Sequence, residues 1–311
     1  MSVSTHISAS AQGQIPRRIA GRAADRTILI SGCSSGIGYA VAHGLARAGW
    51  RVFATARNVD DVVSLQAEGL EALQLDVADP ASISRCVAEV LERTGGTLNA
   101  LFNNAGFGLP GAVEDLSRDA IRHQFETNVF GTLELTNAVL PVMRQQGHGR
   151  VLINSSVLGF AAMPYRGAYN ASKFALEGLA DTLRQELAGS GIHAVLIEPG
   201  PITSRFRANA QAQFERWIEE APSFHAPSYA AMRERLAKVG PAAPFTLPPE
   251  AVLKAVICAL ETRRPAARYR VTVPTQLFWY LKRLLPTCLL DRLLLAASGD
   301  EPGVAYGRKK G

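Results

Sequence analysis

The stretch that decides the fold runs from residue 27 to residue 38 and reads TILISGCSSGIG. Its first four residues form an uninterrupted apolar run, typical of a strand that is buried on both faces of a sheet. Glycines follow at positions 32, 36 and 38, with the spacing G-x-x-x-G-x-G. Glycines let a backbone turn tightly and approach a pyrophosphate, while the N-terminus of a following helix presents unpaired N–H groups. The stretch therefore predicts a strand, a phosphate-binding loop and a helix, in that order.

Short apolar runs and longer helical patterns alternate along most of the chain. Further strand candidates are residues 51–56, 70–75, 98–102, 151–154, 192–197 and 269–273. Helical patterns cover residues 37–48, 117–146, 167–189 and 250–262, and another helix begins at Asp79-Pro80 and ends at Gly95-Gly96. Continuous apolar strands that alternate with helices predict an α/β fold with a Rossmann-type doubly wound parallel sheet, in a single domain.

Three segments depart from this alternation. Residues 1–24 lack any strand or helix pattern, and we expect them to be a disordered tail. Within the α/β domain, which we place at 25–274, residues 204–249 are rich in Ala, Pro and Arg and are expected to form a lid. Residues 275–311 are predicted to be a C-terminal extension, and their apolar part at 276–295 is predicted to be helical.

Composition restricts the class of protein further. The chain has 33 Lys and Arg against 27 Asp and Glu, so its formal charge of +6 is modest and does not indicate a nucleic-acid-binding protein. The four cysteines form no CxxC pair, which predicts neither a disulfide framework nor a metal site and favours the cytoplasm. The composition of residues 1–24 also resembles a transit peptide, and Arg17-Arg18 a twin-arginine signal. No apolar run reaches the roughly 18 residues of a membrane-spanning helix.

A tyrosine and a lysine stand four residues apart, at Tyr169 and Lys173, and one face of a helix presents both. A free tyrosine has a pKa of about 10, which is too high for acid–base chemistry at neutral pH. A neighbouring ammonium, together with a positively charged nicotinamide ring, stabilises the phenolate and lowers this pKa. The pair therefore predicts a proton donor and acceptor, although such a spacing also occurs on ordinary surface helices.

The glycine loop, the NNAG sequence at 103–106 and the Tyr–Lys pair resemble the motifs of the classical short-chain dehydrogenase/reductase family, in the family's order. The resemblance implies an enzyme that transfers hydride between a nicotinamide cofactor and a carbonyl or alcohol. It assigns the catalytic positions to Asn128, Ser156, Tyr169 and Lys173. Ser155, next to Ser156, leaves the choice of serine open, and Asn128 either supports a water-linked proton relay to the lysine or only satisfies backbone groups.

The resemblance also assigns cofactor contacts. In the glycine loop these are Gly32, Ser34, Ser35, Gly36, Ile37 and Gly38. After the later strands they are Asp76, Val77, Asn104, Ala105, Gly106, Pro199, Gly200, Ile202 and Thr203, with Tyr169 and Lys173 from the catalytic set. Asp76 has an alternative role as an ordinary turn or cap carboxylate.

Arg57 decides the expected cofactor. An acidic residue at the end of the second strand accepts hydrogen bonds from ribose hydroxyls and repels a 2′-phosphate, but Arg57 stands there instead. Its planar guanidinium suits a phosphate, so NADP(H) is favoured and NAD(H) is the alternative. The alternative role for Arg57 is that of a solvent-facing side chain next to a turn.

The substrate is expected to be a small lipophilic carbonyl or alcohol. The sequences of the glycine loop and of residues 128–132 resemble those of the branch with 17β-hydroxysteroid and retinol dehydrogenases. This resemblance implies steroid-, retinoid- or fatty-aldehyde-like substrates. The lid and the loop after Ser156 supply candidate pocket aromatics: Phe160, Tyr165, Phe206, Phe214, Trp217, Phe224, Tyr229 and Phe245. A β-ketoacyl-thioester reductase and a non-catalytic NADP(H) sensor are the alternatives.

Two expectations concern assembly. The apolar and basic segment at 277–285 either packs on the domain or on a second subunit, or rests on a membrane surface. The family implies a homo-oligomer, either a dimer or a tetramer.

Overall fold

A computed structural model describes residues 26–218, 223–238, 240 and 243–299. The expected tail at 1–24 and residues 300–311 of the C-terminal extension lie outside these ranges. The lid is described except at 219–222, 239 and 241–242.

Seven strands form one parallel sheet. They are β1 Thr27–Ile30, β2 Arg51–Ala56, β3 Glu71–Gln74, β4 Ala100–Asn103, β5 Gly149–Asn154, β6 Ile192–Glu198 and β7 Arg268–Arg270. Their order across the sheet is β3-β2-β1-β4-β5-β6-β7, so the direction of winding reverses between β1 and β4. In doubly wound sheets a ligand crevice opens at this reversal, outside the carboxyl ends of the strands. The expected fold class is confirmed.

Helices cover both faces of the sheet. In the α/β part these are α1 Gly36–Arg47, α2 Val59–Ala67, α3 Pro80–Thr94, α4 Arg118–Phe125, α5 Gly131–Gln146, α6 Gly167–Glu186 and α9 Glu250–Glu261. One core cluster packs α1, α2 and α9 on one face, and a second packs α3, α5 and α6 on the other. Burial on both faces explains why the strands read as continuous apolar runs.

The lid and the C-terminal extension add four helices, α7 Phe206–Trp217, α8 Ala226–Ala237, α10 Val273–Leu284 and α11 Thr287–Ala297. The lid helices α7 and α8 pack around Phe214, Tyr229 and Met232, in a cluster that also includes residues of the loop after β4, α4 and α6. The C-terminal pair packs Phe278, Leu290 and Leu294 on the loop that follows β5. Both additions therefore sit over the carboxyl edge of the sheet.

Two expectations about elements are wrong, and one helix was not expected. The pattern at 117–146 is not one helix, because a π-helical turn at Glu126–Phe130 separates α4 from α5. The helical pattern at 276–295 is divided at Pro286, which has no N–H to continue α10. Helix α2 was not predicted, although the side chain of Asn58 caps it by accepting a hydrogen bond from the backbone N–H of Asp60.

Candidate active site

The glycine loop is packed so closely that side chains do not fit. A Cβ atom on Gly38 would lie 2.1 Å from the carbonyl oxygen of Gly32 and 2.6 Å from Nδ2 of Asn104. Gly32 itself has φ +73°, and its Cβ would lie 2.9 Å from Cα of Ala105. The backbone of the loop can therefore approach β4 and a ligand as only glycine allows.

The N-terminus of α1 opens directly from this loop. Ser35 is its N-cap residue in an extended conformation, but its side chain does not cap the helix. The first backbone N–H groups of an α-helix have no partner inside the helix, and here they begin at Gly36. Together with the exposed Ser34 they form a set of donors that fits the pyrophosphate of a dinucleotide.

Asn104 joins three strands below the loop. Its Nδ2 donates to the carbonyl oxygens of Ser31 at 3.0 Å and Gly32 at 2.9 Å, and its Oδ1 accepts from Nδ2 of Asn154 at 2.9 Å. The hydroxyl of Ser31 in turn accepts from the backbone N–H groups of Asn104 and Ala105. The amide thus fixes the ends of β1, β4 and β5 relative to one another.

The residues expected to contact the cofactor after β2 and β3 differ in how they are held. Arg57 is exposed, and its guanidinium has no hydrogen bond or ion pair with any residue that the structure describes. Asp76 accepts a hydrogen bond from the backbone N–H of Ala78 at 3.0 Å, as a turn carboxylate does. A Cβ atom on Gly131, the first residue of α5, would lie 2.2 Å from the carbonyl oxygen of Val77. Helix α5 therefore packs directly on this turn.

Tyr169 and Lys173 lie one turn apart on α6. The ammonium Nζ of Lys173 lies 5.6 Å from the centroid of the Tyr169 ring and donates a hydrogen bond to the carbonyl oxygen of Asn154 at 2.7 Å. Ser156 interacts with the Tyr169 hydroxyl. The hydroxyl of Ser155 instead donates to Oε1 of Glu177 at 2.5 Å. The geometry therefore distinguishes the two serines and brings Ser156 to the tyrosine.

Burial dominates the titration of this pair. It raises the pKa of Tyr169 to about 12, and the hydrogen bond with Ser156 opposes this rise. Burial also lowers the pKa of Lys173 to about 8, and the Glu177 carboxylate opposes this fall. In the protein alone, the loss of water around the phenolate outweighs the effect of Ser156 on the pKa of Tyr169. The lowering of this pKa by Lys173 together with a positively charged nicotinamide ring stays a prediction.

Asn128 lies in the π-helical turn and is fully buried. Its Oδ1 accepts from the backbone N–H of Phe107 at 3.1 Å, and its Nδ2 donates to the Phe107 carbonyl at 3.0 Å and to Oγ of Ser172 at 3.1 Å. Among the described residues, its side chain makes no hydrogen bond to Lys173. The Asn128 side chain satisfies backbone groups, as its alternative role predicted. These groups belong to Phe107 in the loop after β4 and not to the helix that contains Asn128.

The segment after β6 is held by the loop after β5, by the start of α10 and by Leu247. The carbonyl oxygen of Pro199 accepts from the backbone N–H of Val157 at 2.9 Å, next to Ser156. A Cβ on Gly200 would lie 2.1 Å from Oγ1 of Thr272, at the start of α10. Ile202 pairs with Leu247 of the lid. The N–H of Thr203 donates to the carbonyl oxygen of Leu247 at 3.0 Å, and the Thr203 side chain is exposed.

The aromatic residues do not form one pocket. Phe206 packs its ring 5.3 Å from that of Tyr169, at the entrance to α7. Phe214 and Tyr229 are fully buried in the core of the lid, and Phe160 packs beneath the C-terminal helices. Sequence reasoning missed Glu177, although its position one helical turn after Lys173 is a signal that it shares the face of the lysine.

The sheet order, the glycine loop and the Tyr–Lys pair define a dehydrogenase or reductase of the Rossmann type. The sequence profile of the short chain dehydrogenase family matches residues 26–215. The chain therefore belongs to the short-chain dehydrogenase/reductase family and is an oxidoreductase.

Three relatives are similar over most of the chain. The oxidoreductase YbbO of Escherichia coli is 41% identical, over 89% of this chain and 96% of its own length. Retinol dehydrogenase 8 of Bos taurus is 36% identical, over 79% of this chain and 81% of its own length. Human 17-beta-hydroxysteroid dehydrogenase type 1 is 36% identical, over 79% of this chain and 77% of its own length.

Solved structures show the same fold. A short-chain dehydrogenase from Streptomyces avermitilis superposes with a TM-score of 0.70 and 31% identity, over 83% of this chain and 93% of its own. A short-chain dehydrogenase/reductase from Burkholderia phymatum, in complex with NAD, superposes with a TM-score of 0.69 and 26% identity. The superposition covers 83% of this chain and 94% of that one.

Proposed function

We propose that the protein is an NADP(H)-dependent oxidoreductase that interconverts a lipophilic carbonyl and its alcohol. The observation that carries the proposal is the meeting of Ser156, Tyr169 and Lys173 beside the glycine loop, at the carboxyl edge of the sheet. A nicotinamide cofactor, when bound, supplies or accepts the hydride. We propose that the cofactor contacts assigned from the family motifs line this crevice.

Each side chain has a separate task in the proposed reaction. The Tyr169 hydroxyl donates its proton to the carbonyl oxygen of the substrate during reduction and recovers it during oxidation. The Ser156 hydroxyl donates a hydrogen bond to the same oxygen and stabilises the charge that develops there. The Lys173 ammonium stabilises the phenolate and binds ribose hydroxyls. Asn128 holds the Phe107 loop next to α6, and the water-linked relay from Lys173 stays a prediction.

Arg57 supports the preference for NADP(H). Its guanidinium stands at the end of β2, exposed and without a partner among the described residues. A 2′-phosphate offers it a bidentate, charge-assisted hydrogen bond, which a ribose hydroxyl does not.

The proposed substrate class rests on the ring of Phe206 over Tyr169 and on the similarity to a retinol dehydrogenase and a 17-beta-hydroxysteroid dehydrogenase. An apolar cover above the proton donor favours a hydrophobic substrate, because water is displaced when it binds. Steroid ketones, retinoids and fatty aldehydes are the members of this class to test.

The experiment follows NADPH and NADH oxidation at 340 nm with aldehydes, steroid ketones, retinal and a β-ketoacyl thioester. We expect turnover of lipophilic carbonyls with NADPH, and a fall of about 10²-fold or more in Tyr169→Phe. The exposed Tyr280→Phe is the matched control, and its rate should equal that of the unmodified protein. Preference for the thioester would support a β-ketoacyl-thioester reductase, and NADPH binding without any turnover would support the sensor.

We also propose that the outer face of α10 contacts a membrane surface. Val273, Leu277, Tyr280 and Leu284 follow helical spacing and are 57%, 51%, 56% and 76% exposed. The opposite face packs Phe278 on the domain, so packing and an exposed apolar stripe coexist on one helix. No acidic residue occurs in α10, and its last turn contains Lys282 and Arg283, a charge distribution that suits anionic lipids.

Within the part of the chain that the structure describes, no helix is long and apolar enough to cross a bilayer. The proposed contact is therefore peripheral, and co-sedimentation with vesicles of phosphatidylserine and phosphatidylcholine tests it. We expect Leu284→Glu to reduce binding severalfold and Val63→Glu, at a 57% exposed position on α2, to leave it unchanged. Equal binding of both variants would contradict the proposal.

A homodimer or homotetramer stays our proposal for the assembly. Exposed apolar side chains on α5 and α6, namely Leu133, Phe174 and Leu179, are compatible with a subunit contact. Light scattering of the purified protein measures its mass directly.

A further inference from the structure

Two carboxyl groups meet one helical turn beyond Lys173. Glu177 comes from α6, and its Oε1 accepts a hydrogen bond from Ser155 while its Oε2 accepts from both Nε and an Nη of Arg268 at 3.2 Å. Glu198 is the last residue of β6 and is 0% exposed. Both carboxyl groups contact the guanidinium of Arg268, whose Nε lies 3.2 Å from Oε2 of Glu177 and 3.0 Å from Oε1 of Glu198. The pair thus lies between the Tyr–Lys helix and the segment that closes the cofactor crevice.

Glu198 is poorly satisfied as an anion. Nε of Arg268 lies 3.0 Å from its Oε1, but the N–H points to Glu177 instead. Nε of Arg270 is 4.0 Å from Oε2, and its guanidinium lies over the ring of Trp279. Among the described residues, neither oxygen of Glu198 accepts a hydrogen bond. A buried carboxylate without hydrogen bonds is costly, whereas a protonated carboxyl is neutral and can donate to Glu177.

Charged groups face this pair from every element packed on it. They are Lys173 and Asp181 from α6, Arg268 and Arg270 from β7, and Lys282 from α10. Burial and the Glu177 charge raise the pKa of Glu198 to about 8, and burial raises that of Glu177. Glu198 and Lys173 therefore titrate over the same range of pH.

We propose that Glu177 and Glu198 share one proton and act as positioning residues that keep Lys173 charged as the pH rises. The inference rests on the proposed role of Lys173 in turnover. When the pH rises, the shared proton leaves Glu198 for solvent, and the pair changes from one negative charge to two. The additional charge favours the ammonium form of Lys173, because opposite charges nearby stabilise each other. The range of pH in which the lysine stays protonated is extended.

The first test compares the protein with Glu198→Gln, which keeps the shape and a donor to Glu177 but cannot ionise. We expect the alkaline limb of kcat/KM, and of NADPH affinity measured by nicotinamide fluorescence, to move down by about 0.5 pH unit or more. Values at pH 6.5 should change little. Glu186→Gln, which removes an exposed carboxylate from the end of the same helix, is the matched control and should leave the profile in place.

Glu198→Asp restores an ionisable group and should recover most of the original profile. A profile of Glu198→Gln that superposes on that of the unmodified protein would overturn the proposal.

The second test needs neither cofactor nor substrate. The pKa of Glu198 in the folded state lies above its ordinary value of 4.5, so the folded protein binds more protons than the unfolded chain between these values. Stability from this group is therefore lost as the pH rises through that window. Thermal unfolding from pH 5 to pH 9 should show a decline that is smaller in Glu198→Gln. If the Tm of Glu198→Gln declines with pH as steeply as that of the unmodified protein, the proposal of a shared proton is overturned.

The two readouts separate the two proposals. If no carbonyl or alcohol is turned over, the proposed function fails, whereas the unfolding curves still decide whether Glu198 holds a proton. If turnover is found but neither the pH profile nor the unfolding curves respond to Glu198→Gln, only the inference fails.

Discussion

Glycines inside and outside the glycine loop differ in how much free space a Cβ atom would find. Gly38 faces the carbonyl oxygen of Gly32 and the amide of Asn104, and a methyl group has no room between them. Gly178, in the middle of α6, has nothing within 4 Å of its Cβ position. The same substitution therefore has opposite consequences at the two positions.

We predict that Gly38→Ala destabilises the protein by about 1–3 kcal/mol, because the added atom displaces the loop from β4. Gly178→Ala should stabilise it by roughly 0.5–1 kcal/mol, since alanine restricts the unfolded chain and suits a helix. Urea unfolding followed by circular dichroism measures both. Equal free energies of unfolding for the two variants would contradict the close packing around Gly38.

Elements in the lid are held by polar contacts as well as by their core. The hydroxyl of Tyr229, on α8, donates to the carboxylate of Asp115 and accepts from the backbone N–H of Ala112 at 3.1 Å. The same side chain is fully buried, and both burial and the Asp115 carboxylate raise its pKa. Loss of this hydroxyl leaves the N–H of Ala112 without its partner and removes one of the two hydroxyl donors, Tyr229 and Ser223, from the Asp115 carboxylate.

We predict that Tyr229→Phe lowers the free energy of unfolding by about 1–3 kcal/mol, because buried polar groups are left unsatisfied. Tyr280→Phe, which removes a hydroxyl from a 56% exposed side chain, should change it by less than about 0.5 kcal/mol. Limited proteolysis of the lid provides a second measurement. Unchanged unfolding and proteolysis in Tyr229→Phe would exclude this contact as an anchor of α8.

On the scale of the whole molecule, cofactor binding and folding are linked. A ligand that binds only the folded state stabilises it, by about 2.7 kcal/mol at a concentration of 100 times Kd. We predict that NADPH raises the Tm by several degrees and more than an equal concentration of NADH does, because only NADPH carries a 2′-phosphate that Arg57 can bind. Differential scanning fluorimetry at matched concentrations measures the difference.

Arg57→Ala should remove that difference without changing the Tm of the free protein. Arg85→Ala, at an exposed position on α3, should preserve it. A larger shift with NADH in the unmodified protein would contradict the proposed role of Arg57 and favour NAD(H).

The elements that sequence patterns predicted best are those whose signal is local. Residues 27–30 and 51–56 are strands with the predicted boundaries, and Asp79 and Pro80 begin α3 as expected from a cap followed by proline. The break at Glu126–Phe130 has no such signal, because a π-helical turn keeps helical periodicity on both sides. Helix α2 escaped prediction because only two of its nine residues are buried, which leaves a weak apolar stripe.

The candidate site was predictable in its residues and not in its contacts. The motifs placed Ser156, Tyr169 and Lys173 on elements whose ends meet at one edge of a parallel sheet. The family resemblance assigned Ser156, but the residues alone did not separate it from Ser155, because adjacent residues after a strand differ only in the direction in which the chain turns. The structure directs one hydroxyl to Tyr169 and the other to Glu177.

The sequence by itself determined the fold class, the family and the glycine loop, because strand burial, glycine spacing and helix caps depend on residues close together in the chain. Only the tertiary structure decided that Glu198 lies against Glu177, that Phe206 covers Tyr169, and that burial raises the pKa of Tyr169. These properties depend on desolvation and on contacts between residues distant in sequence. Both arise only when the strands and helices pack together.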